Sequence, residues 1–191
     1  MKRLLLALLL GVPLSAQTTA TVFLTSQQNR GTGDFPFEGQ NLTIEFDSGT
    51  GFGVGLSRRF GRFDGELALF RTSSSGSIRG NGTRVFDLGD LELMPVTAML
   101  RAHFGRVYIG GGAAYVMTND LATENERVAI DNEVTGVVGA GVTYDFSERW
   151  GVVLDVRYIP LSISGRPEPD EERIDAGVDP LLVSAGLRIR F

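Results

Sequence analysis

The chain has 191 residues, with 18 basic against 23 acidic side chains, one histidine, 25 glycines and no cysteine. The lack of cysteine excludes disulfide scaffolds, lipid-modified cysteines and thiolate metal sites, and the lone His103 excludes a histidine-rich metal centre. Lys2 is the only lysine, which removes lysine catalysis and Walker-type phosphate loops, and the acid excess argues against a grip on nucleic acid.

Residues 1–16 read as a secretory signal peptide. Lys2 and Arg3 are followed by an apolar run of about 10 residues before Pro13, and Leu14-Ser15-Ala16 precedes the expected cut at Gln17. That run is short of the ~20 residues a bilayer-spanning helix needs. The expectation is export and cleavage, leaving residues 17–191 as one domain with 16 arginines against 23 acids, a net charge of −7.

The domain alternates. A weaker strand near 20–26 is followed by 52–60, where Phe52, Val54, Leu56 and Phe60 share a face opposite Gly53, Gly55, Ser57 and Arg59. In 63–70, Phe63, Leu67 and Leu69 oppose Asp64, Glu66, Ala68 and Phe70. The same split runs through 94–104, 107–117, 136–146 and 150–158. It is clearest in 181–191, where Val183, Ala185, Leu187, Ile189 and Phe191 oppose Leu182, Ser184, Gly186, Arg188 and Arg190. Period two with arginine on one face and hydrocarbon on the other is a strand pattern.

These eight strands are joined by two kinds of connection. Phe60-Gly61-Arg62-Phe63 and Phe104-Gly105-Arg106-Val107 are near-copies of one tight turn, and Phe146-Ser147-Glu148-Arg149-Trp150 is a third. The other four connections, about 27–50, 72–92, 118–133 and 163–178, are long and polar. Short turns at one end and long loops at the other predict an all-β, eight-stranded antiparallel up-and-down barrel.

Alternation alone fits a soluble barrel and its inverse, a membrane barrel. The leader, the glycine-and-charge character of the second face, and aromatics at strand ends on the apolar face choose the membrane barrel. Phe60, Phe63, Phe104, Phe146, Trp150 and Phe191 lie near the turns, with Tyr115 and Tyr158 toward the loops, as expected of girdles where lipid meets water. The expected location is the bacterial outer membrane, with short turns in the periplasm and four long loops outside. Leu187, Ile189 and Phe191 end the last strand as a candidate C-terminal insertion signal for the barrel-assembly machinery.

The stretch Leu93-Met94-Pro95-Val96 leading to Phe104, the stretch Val107-Tyr108-Ile109-Gly110-Gly111-Gly112-Ala113-Ala114-Tyr115, and Gly139-Ala140-Gly141-Val142-Thr143-Tyr144 resemble strands of the OmpW family of small outer-membrane barrels. Asp179-Pro180 and Ser184-Ala185-Gly186, ending at Phe191, are similar to that family's C-terminal part, and the resemblance covers about 91–191. It implies a barrel that takes small hydrophobic molecules from an extracellular mouth and releases them sideways into the membrane.

The inward face departs from an apolar conduit. It carries Asp64, Glu66, Arg101, Asp145, Asp155, Arg157, Arg188 and Arg190, expected to pair into a polar plug, since eight strands enclose little more than side chains. Phe70, Met99, Val116, Val137, Ile159 and Leu182, inward and nearer the loops, are candidate linings of a shallow apolar pocket or ordinary filling. The alternative to hydrophobic transport is therefore a non-transporting structural or surface-interaction barrel, similar to the OmpA membrane domain.

No catalytic residue, cofactor or metal site is expected. His103 points inward one residue from a tight turn, the end opposite to where barrel hydrolases hold theirs. Gly49-Thr50-Gly51-Phe52-Gly53-Val54-Gly55 has no helix after it to make a phosphate loop. The carboxylates of Asp120, Glu124 and Glu126 read as solvated loop groups that could bridge lipopolysaccharide through divalent cations. Expected partners are outer-membrane lipid and lipopolysaccharide, the assembly machinery and small hydrophobic ligands, with no nucleic acid and a monomer by default.

Overall fold

The computed structural model describes residues 17–30, 33–37, 40–80, 83–119, 121–122, 127–130, 132–167 and 174–191. The expected leader, residues 1–16, lies outside them. Eight strands form the wall: β1 (Thr18–Gln28), β2 (Gly49–Phe60), β3 (Phe63–Gly80), β4 (Thr83–Phe104), β5 (Val107–Thr118), β6 (Glu133–Asp145), β7 (Trp150–Tyr158) and β8 (Leu181–Arg190). Each pairs antiparallel with its neighbours in sequence, and β8 returns to pair with β1, so the sheet closes on itself. There is no helix among the described residues.

The turns follow from their residues. Phe60 pairs with Phe63 and Phe104 with Val107, leaving two-residue loops whose first residues, Gly61 and Gly105, have φ of 67° and 69°. A positive φ at the first loop position is what a type II′ hairpin turn demands, and glycine adopts it without steric cost. The third turn is held by the amides of Phe146 and Ser147, which donate to the Trp150 carbonyl at 3.2 Å each, and by the Trp150 amide donating to Ser147 Oγ. The start of β1 and the end of β8 meet at the same end, where the Phe191 amide donates to the Thr18 carbonyl.

The two faces of the wall sort as parity requires of a membrane barrel. Leu24 is 73% exposed, Leu154 65% and Phe104 64%, whereas Glu66 is 4% exposed and Arg157 fully buried. A soluble barrel would invert this. Here the outside is a hydrocarbon belt, and the bore holds the charges. Inward glycines make room for the large side chains that fill it. A Cβ on Gly53 would sit 2.4 Å from the Phe70 ring, and one on Gly141 would sit 2.4 Å from the Tyr108 hydroxyl.

The long connections differ from the polar loops expected. The segment 72–92 is mostly strand: β3 continues to Gly80 and β4 starts at Thr83, so this hairpin extends well past the neighbouring strands. Serine and threonine on both faces hide the alternation there. Polar cross-strand pairs hold it instead, including Arg71 Nη2–Glu92 Oε2 at 2.9 Å and Ser75 Oγ donating to Asp90 Oδ1 at 3.0 Å. Within 27–50, the hairpin Gly33–Phe37 and Gln40–Phe46 pairs onto β3 through Leu42 to Phe46. Within 118–133 and 163–178, Leu121–Ala122, Arg127–Ile130, Ser162–Pro167 and Ile174–Gly177 form a separate four-stranded sheet joining the two connections.

Candidate functional site

The bore is layered. Its turn-side half is a compact charge cluster drawn from β3, β4, β5 and β7. Arg101 makes a fork to Asp64, with Nε–Oδ1 at 2.6 Å and Nη2–Oδ2 at 3.1 Å, and reaches Glu66 Oε2 through Nη1 at 2.5 Å. Arg157 takes the other Glu66 oxygen through Nη2 at 2.6 Å and Asp155 Oδ1 through Nε at 2.6 Å, while Nη1 donates to Thr97 Oγ1 at 3.0 Å. The Tyr108 hydroxyl donates to Asp155 Oδ2, and His103 Nε2–H donates to Asp64 Oδ2 at 2.6 Å. Five of the six oxygens of the three carboxylates accept a hydrogen bond, and the sixth, Glu66 Oε1, has the Arg157 guanidinium as an ion-pair partner only. Burial removes water from these charges at a cost that only near-complete pairing offsets.

Parity brought eight charged residues to the inward face, and the structure divides them. Asp64, Glu66, Arg101, Asp155 and Arg157 form the buried cluster. Asp145, Arg188 and Arg190 form a second group at the turn-side rim, half open to solvent. There Arg190 Nη2 lies 2.6 Å and Arg188 Nη1 3.4 Å from the two Asp145 oxygens. No ion pair joins the two groups among the described residues. Tyr108, His103 and Thr97 belong to the first group and were not assigned to it from sequence. An inward tyrosine among the glycines of β5 was the available signal, because a buried hydroxyl must find an acceptor.

Above the charges the bore turns apolar, with Tyr108 packed into both groups. Phe70, Met99, Val116, Val137, Ile159 and Leu182 are all at most 4% exposed and pack into one cluster with Phe23, Leu91 and Leu93. The boundary is a cation–π contact: the Arg157 guanidinium sits 4.9 Å from the Phe70 ring centre and 5.6 Å from that of Phe23. On the loop side, Gln27 accepts from Thr72 Oγ1 and donates to Asn29 at 2.7 Å, and Asn29 donates in turn to the Asp47 carbonyl and Ser74. Leu187, Ile189 and Phe191 line the outer wall of β8 and its end, where Trp150 faces Ile189 and Val152 faces Leu187.

The wall beside the apolar layer is interrupted within the β3–β4 ladder. The β3–β4 ladder runs to Leu69↔Val96 and resumes at Thr72↔Leu93, skipping Phe70 and Arg71 opposite Pro95 and Met94. Pro95 has no N–H to contribute to the ladder.

A closed, up-and-down ring of eight strands with a hydrocarbon exterior and a polar, plugged interior defines an outer-membrane β-barrel. The chain belongs to the outer membrane protein beta-barrel domain family, whose model matches residues 4–191. It is 29% identical over 139 residues to the uncharacterized outer-membrane protein y4mB of Sinorhizobium fredii, a match covering 66% of this chain and 58% of that protein, so the chain spans less than two thirds of that relative. Among solved structures it is similar to OprG of Pseudomonas aeruginosa, with a TM-score of 0.79 at 16% identity, over 92% of this chain and 96% of that one. It is also similar to AlkL in lipid bilayers, with a TM-score of 0.68 at 18% identity, over 92% of this chain and 90% of that one. These identities speak for the shared fold. The protein is an outer-membrane β-barrel whose fold is that of OprG and AlkL.

Proposed function

We propose that this barrel takes up small hydrophobic molecules at its loop-side half and releases them through the wall into the membrane, not through the bore into the periplasm. The observation that carries this reading is the level of the ladder interruption. Pro95 and Phe70 lie at the gap, and Phe70 belongs to the apolar layer, directly above the arginine that caps the charge cluster. An apolar guest can part apolar side chains at the cost of local repacking. To continue downward it would have to break paired, buried charges, which costs several kcal/mol for each pair broken. The low-energy exit is sideways. The reading is non-enzymatic: His103, the chain's one histidine, is buried within the cluster, away from the loop-side half where the guest would enter.

The test is transfer of a membrane-partitioning apolar dye into liposomes carrying the refolded barrel. Wild type should exceed protein-free liposomes, and Pro95→Val, which restores an N–H to the ladder, should return transfer to background while a trapped polar solute stays inside throughout. Dye transfer at background in wild type overturns the proposal. It would favour the second reading, a sealed structural barrel, which the near-complete burial of all six apolar residues supports.

A further inference from the structure

The turn-side rim carries a feature that neither the bore nor the wall uses. Each of its three tight turns holds an arginine next to a lipid-facing aromatic or aliphatic strand end: Arg62 between Phe60 and Phe63, Arg106 between Phe104 and Val107, Arg149 between Phe146 and Trp150. All three arginines are exposed, and none has an ion-pair partner among the described residues. Arg106 leans against the outer wall, its guanidinium 5.0 Å from the ring centre of the lipid-facing Tyr144. Arg149 opens onto a hollow of about 670 Å³ that it lines with Trp150, Ile189, Arg190, Phe191 and Glu148. Its lining joins the apolar Trp150, Ile189 and Phe191 to the guanidiniums of Arg149 and Arg190, the combination that an acyl chain ending in a phosphate asks for.

The charge distribution reinforces this. The rim holds Arg58, Arg59, Arg62, Arg106, Arg149, Arg188 and Arg190 against Asp64, Asp145 and Glu148, and Asp64 is taken by Arg101. The four long connections hold 6 arginines against 17 acids. The chain is acidic as a whole, yet its basic charge is gathered where the turns meet the inner, phospholipid leaflet. Arginine at the depth of an aromatic girdle meets lipid phosphates with its planar fork of donors.

We infer that the periplasmic rim is a binding surface for anionic phospholipid headgroups of the inner leaflet, with Arg62, Arg106 and Arg149 as the phosphate contacts and the Arg149–Trp150–Phe191 hollow as its best-formed seat. Glu148 is the one exposed carboxylate in the turns, and it opposes such binding at the hollow.

Trp150 is the only tryptophan in the chain and lies in the hollow, so its fluorescence reports which lipid occupies it. The full barrel is placed in mixed vesicles in which either phosphatidylglycerol or phosphatidylcholine carries brominated, quenching acyl chains. About five-fold preference for phosphatidylglycerol is expected from one guanidinium at an anionic headgroup. Arg149→Gln should reduce the ratio to about one, Glu148→Gln should raise it, and 0.5 M salt should weaken it. A wild-type ratio near one, or a ratio that Arg149→Gln leaves unchanged, overturns the inference. Both variants change exposed turn residues, so their unfolding midpoints should match wild type, and a ratio lost together with the fold also counts against it.

Discussion

The lower and upper halves of the bore are equally buried and contrast in chemistry. Toward the turns, Arg101 and Arg157 lock three carboxylates, a tyrosine and a histidine into one connected cluster. Toward the loops, Phe70, Val137, Ile159 and Leu182 fill comparable space with hydrocarbon. A membrane barrel has hydrocarbon outside as well, so burying apolar side chains in its bore gains little over leaving them against lipid. What holds the charged half is a connected set of ion pairs and directional hydrogen bonds. The apolar cluster itself is held by contact and shape, with neutral hydrogen bonds of Gln27, Thr72 and Asn29 on its loop side, and is the half that can yield.

The comparison can be broken most directly at Arg157. Arg157→Ala leaves Glu66 Oε1 and Asp155 Oδ1 without their cation in a buried site, and urea unfolding in bilayers should show a loss of about 3–5 kcal/mol. A loss below about 1 kcal/mol would mean that water reaches the cluster and that the lower half is not the lock described. A charge on the wall comes next. Leu154→Arg should cost about 2–4 kcal/mol against lipid, and Thr143→Arg, on the inward face, much less. The reverse order would invert the two faces. Gly151 is a poor inward control, since a Cβ there would meet Asp145 Oδ1 at 2.4 Å.

Smaller effects are expected in the apolar half and at the chain end. Ile159→Val should cost about 0.5–1.5 kcal/mol, because neighbouring hydrocarbon can relax around the missing methylene. A cost as large as that of Arg157→Ala would erase the contrast between halves. Deleting Phe191, which is exposed on the wall, should leave the unfolding free energy within about 0.5 kcal/mol of wild type while lowering the fraction of barrel assembled in cells. Unchanged assembly would remove Leu187, Ile189 and Phe191 from the role of insertion signal.

Much of this was legible in the residues. Strict period two from Leu181 to Phe191 and the repeated Phe-Gly-Arg turns give strand number, direction and the end at which β1 starts and β8 finishes. Parity also puts Asp64, Glu66, Arg101, Asp155 and Arg157 in the bore. It could not say which of the inward charges meet, because that depends on the stagger between strands: Asp64 is opposite Arg101, whereas Asp145 is opposite Gly151 near the rim. Nor could periodicity find the extension of β3 through Thr72, Ser73, Ser74 and Ser75. With hydroxyls on both faces there is no polarity contrast to read, and pairing with β4 decides the structure.

The seam between β1 and β8 has a consequence for how the molecule is made. Thr25 and Ser184 share a buried hydrogen bond across it although they are 159 residues apart in the chain. Every other seam in the ring joins strands that follow one another, so seven of the eight can zip locally, each closing a modest loop. The eighth is a contact of very high order, and the entropy of bringing its two edges together falls due in one late step. Until then β1 and β8 each present a bare row of amides and carbonyls, the kind of edge that pairs with a stranger when its own partner is late. The rate-limiting event in folding should therefore be the docking of these two edges. Substitutions that weaken the β1–β8 ladder should slow assembly more than equal weakening at any of the other seven seams.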